Sequence, residues 1–121
     1  MAYKGEKSKS SILLARNLNK SKRPDGFIYI LKLKGFDLYK IGVSANPKRR
    51  IYDIDSNSPF GVKEICVLFF KNVYEIEECV HDNFKSSLKR KEWFEMSEQC
   101  IKSLQFELKE MSESGLYLIR R

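Results

Sequence analysis

The chain has 121 residues, a length that suits one domain with a core of its own. Its 23 Lys and Arg outweigh 16 Asp and Glu, giving +7 at pH 7 and favouring polyanionic partners. No run approaches about 18 apolar residues and no apolar segment opens the chain, so neither a spanning helix nor a signal peptide is expected.

The charge is unevenly placed. The first 24 residues hold Lys4, Lys7, Lys9, Arg16, Lys20, Lys22 and Arg23 against Glu6 alone, so almost all of the excess lies there. Such an arm, residues 1–25, suits polyanion binding or serves as a solubilising tail. Residues 11–18 could form a short helix within it. Cys66, Cys79 and Cys100 are odd in number and widely spaced, which fits neither a disulfide set nor a zinc site. They read as reduced, mostly buried thiols of an intracellular protein.

Pro24-Asp25-Gly26 is a turn signal and opens the core domain, expected over 26–112 with a tail at 113–121. Residues 27–33 are rich in β-formers and read as a strand. Lys34-Gly35-Phe36-Asp37 supplies a turn, and 38–43 form a second strand, antiparallel to the first. Asn46 is a good N-cap and Pro47 fits the first position of a helix anchored by Ile51 and Ile54. Ser56-Asn57-Ser58-Pro59 ends that helix. The apolar run 63–70 reads as a buried strand. Val73, Ile76, Val80, Phe84 and Leu88 then recur at helical spacing, predicting a helix over 73–88. Residues 92–96 form a short extended piece. Ser97 caps a last helix with Ile101, Leu104, Leu108 and Met111 on one stripe, and Gly115 stops it. The expected fold is α/β, a small antiparallel-containing sheet of about three strands flanked by helices in the order ββαβαα.

Five motifs fall in order along this layout. They are Phe27-Ile28-Tyr29, Tyr39-Lys40-Ile41-Gly42, Asn46-Pro47-Lys48-Arg49-Arg50, Ile76-Glu77-Glu78-Cys79-Val80-His81 and Glu92-Trp93-Phe94. With them, residues 26 to about 96 resemble the GIY-YIG nuclease superfamily. The nearer likeness is to its branch of phage open reading frames and a fungal meiotically up-regulated gene product. The resemblance implies a GIY-YIG-like fold and a divalent-metal-dependent DNA endonuclease of phage or mobile-element type, in a bacterial or phage-infected cytoplasm.

It also implies roles. Glu77 would hold Mg²⁺ or Mn²⁺, Tyr29 would stand by the attacking water, and Arg50 would grip the scissile phosphate. The residue types suit these roles. A carboxylate is a hard ligand for a hard cation, a phenol can orient water, and a planar guanidinium matches phosphate oxygens. Lys40 takes the slot where the superfamily usually has a tyrosine, as a phosphate ligand or a base. Tyr39 cannot replace it, because neighbouring strand residues face opposite ways. His81, one turn after Glu77, is open to three roles: second metal ligand, general base, or orienter of Glu77. Glu92 could approach as a second carboxylate. Lys20, Lys22, Arg23, Lys48 and Arg49 are expected on the DNA, which would be double-stranded, and a homodimer could supply two cuts. The competing reading is a non-catalytic DNA-binding module or regulator on the same fold.

Overall fold

The computed structural model describes residues 24–114. The readings of residues 11–18, of Lys20, Lys22 and Arg23 in the arm, and of Gly115 lie outside that range. Strands β1 (Gly26–Leu33) and β2 (Leu38–Ser44) form the antiparallel hairpin expected of them. Their turn uses Gly35 at φ 88°, a conformation only glycine adopts without strain. Helix α1 (Pro47–Ser56) begins as its sequence demands. The Asn46 side chain accepts from the Arg49 N–H at 3.3 Å, and Pro47 occupies a first-turn position that needs no donor.

Strand β3 (Val62–Phe70) returns antiparallel along the other side of β1, with a bulge opposite Ile30 and Leu31. Helix α2 (Val73–Asn83) follows, then a 3₁₀ turn (Lys85–Ser87) and two short strands, β4 (Leu88–Arg90) and β5 (Trp93–Glu95). Helix α3 (Glu98–Ser114) closes the described region, its Cys100 N–H donating to the Ser97 hydroxyl at 3.1 Å. The sheet is antiparallel throughout, in the order β3-β1-β2-β5-β4.

The class agrees with the sequence reading, but the sheet has five strands where about three were expected. The helix predicted over 73–88 ends at Asn83. Ser86 and Ser87 compete for their own backbone and are weak helix formers, and Leu88 starts β4 instead of continuing the apolar stripe. The piece at 92–96 is half of the β4–β5 hairpin. The run at 63–70 is an edge strand whose middle is only half-buried, not an enclosed one.

The two faces of the sheet are covered unequally. Ile28, Ile30, Tyr39 and Ile41 pack with Phe94 against α2 and α3, contributing to the larger core. The stripe Ile101, Leu104, Leu108 and Met111 is fully buried there, as its spacing predicts. On the opposite face Tyr29, Leu31 and Val62 form a small cluster with Ile51 and Ile54 of α1, together with Trp93. No helix among the described residues is long and apolar enough to cross a membrane.

Candidate functional site

Gly42 is the centre of the site. It pairs with Tyr29 across the β1–β2 ladder, and the phenol lies directly over it. A Cβ on Gly42 would sit 2.5 Å from the Tyr29 hydroxyl oxygen and 3.0 Å from Glu92 Oε1, so only glycine lets both groups approach.

The sheet opens at this point. β5 pairs with β2 only over Leu38–Lys40, and the Ile41 N–H donates to the Glu92 carbonyl at 3.3 Å. The Ile41 carbonyl points the same way, past the end of β5. His81 on α2 takes that position, its Nε2 2.8 Å from the carbonyl oxygen and its ring edge-on to Phe94 at 5.0 Å. A carbonyl oxygen only accepts, so Nε2 carries the proton in this bond. His81 thereby ties α2 to the gap in the sheet and stands 3.9 Å from the Glu77 carboxylate. In this arrangement Nε2 is a donor and is not free to ligate a metal.

Through the gap the charged groups meet. Lys40 shares the face of Gly42, two residues away on β2. Its Nζ lies 3.0 Å from Glu92 Oε1 and 5.6 Å from the centroid of the Trp93 ring. Arg50 reaches in from α1 and hydrogen-bonds Tyr29. Guanidinium has no acceptor, so the phenol oxygen accepts and its own O–H stays available to donate. Arg50, Lys40 and Trp93 line an open cleft of about 250 Å³ with Asp53, Ile54, Asn57 and Ser58.

The electrostatics follow from this crowding. Burial raises the Tyr29 phenol above its usual value, the Arg50 hydrogen bond opposes the rise, and the carboxylates of Glu92 and Glu77 add to it. The phenol therefore stays protonated at neutral pH and acts as a donor. The Glu77 side chain is only 15% exposed, and burial pushes its carboxyl up. His81 and Lys40 pull the other way, while Glu92 and Glu78 raise it further. Burial thus disfavours the ionised form of this half-buried carboxyl more than His81 and Lys40 favour it.

A cation at Glu77 would relieve that penalty. Among the described residues no group of three or more His, Cys, Asp or Glu could hold a metal ion. A structural zinc site is therefore not built here. One half-buried carboxylate with a second, Glu92, in its field suits a hard divalent ion that keeps most of its waters.

Tyr29, Lys40, Arg50, Glu77 and His81, spread over 53 positions of sequence, come together. Tyr39 does not join them: it is buried in the larger core on the other face, as strand alternation requires. Lys48 and Arg49 are exposed on α1, Arg49 at the rim of the cleft beside Asp53 and Lys48 towards the other side of the helix. Glu92, a marginal candidate in the sequence, is in contact with Lys40 and in the electrostatic field of Tyr29, Arg50 and Glu77. Its position just before Trp93-Phe94 is the signal by which the sequence names it.

The sequence model of the T5orf172 domain matches residues 26–109. The chain belongs to this family. Membership supports a nuclease-like assignment at the coarse level. The matched range holds every site residue just described and excludes the basic arm. No curated protein and no solved structure gave a match.

Proposed function

We propose that this T5orf172-domain protein is a divalent-metal-dependent DNA endonuclease of the GIY-YIG type, hydrolysing one phosphodiester bond at the Gly42 site. The observation that carries the reading is the meeting of Tyr29, Lys40, Arg50, Glu77 and Glu92 around a position that only glycine can fill. A structural cluster would not need a half-buried carboxyl held up by its burial next to an open cleft that carries Lys40 and Arg50.

Arg50 receives two oxygens of the scissile phosphate in its planar fork. Lys40 adds a second positive charge, held in place by Glu92 and the Trp93 ring. The Tyr29 O–H donates to the attacking water or to the phosphate. The water oxygen bonds to phosphorus and one P–O ester bond breaks; the leaving oxygen takes a proton from solvent, giving a phosphate monoester and a hydroxyl. Glu92, the carboxylate nearest Gly42, takes up the proton the water loses. Glu77 would hold Mg²⁺ or Mn²⁺, which supplies neutralisation of charge on the phosphate and leaving oxygen. His81 keeps Glu77 oriented.

The competing reading, a DNA-binding module that does not cut, draws on Lys40 standing where the superfamily has a tyrosine and on its closed pair with Glu92. Supercoiled plasmid incubated with Mg²⁺ or Mn²⁺ decides between them. The endonuclease converts it to nicked or linear product, and Glu77→Gln abolishes the conversion while DNA still binds. Intact plasmid with either metal, at protein concentrations that saturate binding, would leave the non-catalytic reading standing.

A further inference from the structure

Helix α1 is flanked by two clefts. Arg50, Asp53, Ile54 and Asn57 face the site cleft. Lys48, Ile51, Tyr52 and Asp55 face a second groove of about 350 Å³, closed on its far side by Lys34, Val62 and Glu64. The outer surface between them carries Lys48, Arg49 and Tyr52, all exposed. Arg49 leans on Asp53 at 3.6 Å, at the rim of the site cleft. Tyr52 is 69% exposed, the most of any large apolar side chain described. Beyond the groove, Lys34 Nζ lies over Gly61, and Phe60 next to it is 59% exposed, with its ring centroid 5.2 Å from that of Phe36.

Tyr52 packs under nothing in the described fold, so neither stability nor the cleavage chemistry explains an aromatic there. The charges suggest what it meets. The groove balances Lys34 and Lys48 against Asp55 and Glu64, and Asp55 is already engaged, accepting from the Val62 N–H at 2.8 Å. A neutral group suits that groove, while the cations on α1 suit anions. A polynucleotide strand has this pattern: neutral, flat bases and a charged backbone. A base inside a duplex cannot offer its face to Tyr52 without unstacking.

We propose that the nucleotides flanking the scissile phosphate cross α1 as an unpaired DNA strand. Their phosphates lie on Arg49 and Lys48, and a base stacks on Tyr52 at the mouth of the second groove. The substrate is then DNA with an unpaired stretch beside the cut, as in a splayed duplex or the locally opened strands of a negatively supercoiled plasmid, and not a relaxed continuous duplex. The inference rests on the proposed function in taking the phosphate at Arg50 as the one that is cut. Its test uses binding alone, so it stands apart from whether cleavage occurs.

The full chain is titrated, with EDTA present, into a labelled thymidine homopolymer, a blunt duplex and a duplex with splayed ends. Tyr52→Ala weakens the homopolymer and the splayed duplex about tenfold, the loss of one stacked base, and leaves the blunt duplex unchanged. Tyr52→Phe keeps the wild-type affinity, and Tyr52→Leu falls with the alanine variant because it lacks a π-face. Lys48→Ala lowers the salt slope on the single strand by about 0.7 for a lost phosphate contact. Equal losses on all three DNAs, no loss on any, or a phenylalanine variant as weak as alanine would each overturn the proposal. Tyr52 is exposed, so these variants keep the fold, and a wild type that binds in this way yet never cuts would count against the nuclease reading only.

Discussion

Tyr29 and Tyr39 stand on adjacent strands of one sheet and are equally buried, yet they belong to different parts of the molecule. Tyr39 points into the face packed by α2 and α3, where its ring joins the larger core, and Lys32, 6.0 Å from the ring centroid, and the fields of Asp37 and Glu98 reach it from outside that core. Tyr29 points to the α1 face, where its hydroxyl meets Arg50 over Gly42 and lies in the field of Glu92 and Glu77. The two-residue period of a strand sends alternate residues of the same segment to the two faces. Ile28, Ile30, Tyr39 and Ile41 supply cohesion, and Tyr29, Lys40 and Gly42 supply the site. Burial alone does not separate these roles; what the polar end of the side chain meets does.

The contrast breaks most sharply on the core side. Tyr39→Ala empties a full aromatic volume from the larger core and costs about 3–5 kcal/mol, a large share of a small domain's total stability. Thermal denaturation should show a loss of many degrees, with activity falling only because the fold does. On the site side, Arg50→Ala leaves the melting temperature nearly unchanged and lowers the cleavage rate about 10²–10³-fold, the loss of one preorganised donor to the phosphate. Plasmid cleavage at saturating protein measures it. A large drop in stability for Arg50→Ala, or full activity, would show that the α1 face is ordinary packing. Tyr29→Phe keeps the ring and sharpens the point, since only the hydroxyl differs between the faces. It should fold as wild type and cut about 10²-fold more slowly, while Tyr39→Phe should be close to neutral in both assays.

Gly42→Ala lies between these extremes. Its methyl group would collide with the Tyr29 phenol and the Glu92 carboxylate, so one or both must move. We expect a stability loss of about 1–3 kcal/mol from overpacking. Activity should fall with it, by more than Glu92→Gln alone produces. Pairing Gly42→Ala with Tyr29→Ala, which opens the space, should recover most of the stability and none of the activity. Denaturant melts of the single and double variants give the coupling. No recovery would mean that the phenol is not what excludes the Cβ.

Much of this division was legible before the fold was known. The alternation of Tyr39 and Lys40, the cap at Asn46 and the stripe on α3 follow from local periodicity and side-chain chemistry, and they hold. The β4–β5 hairpin was not legible, because strands of three residues are too short to show a period and Leu88 continues the helical spacing of Phe84. The contact between His81 and the Ile41 carbonyl depends on where β5 stops pairing, a property of the assembled sheet. Glu92 gains its place only by meeting Lys40 from another strand, a partner 52 residues away in sequence.

The smallest effect tests the site's electrostatics without any cleavage. Burial, with Glu92 and Glu78 beside it, holds the Glu77 carboxyl above its ordinary range, against His81 and Lys40. A raised carboxyl pKa means that the folded state binds the proton more tightly than the unfolded chain does. The ionised group then opposes folding at pH values above its folded pKa, and this penalty vanishes below the unfolded value, about 4.3. Glu77→Gln removes the charge, so it should raise the melting temperature at pH 7 and lose that advantage at pH 4. A divalent cation bound at Glu77 relieves the same penalty, and Mg²⁺ or Mn²⁺ should raise the wild-type melting temperature at pH 7 towards that of the variant. The variant itself should not respond to the metal. A difference between the two proteins that is the same at both pH values would show that the carboxylate is not strained by its surroundings. A metal response shared by both would place the ion elsewhere than on Glu77.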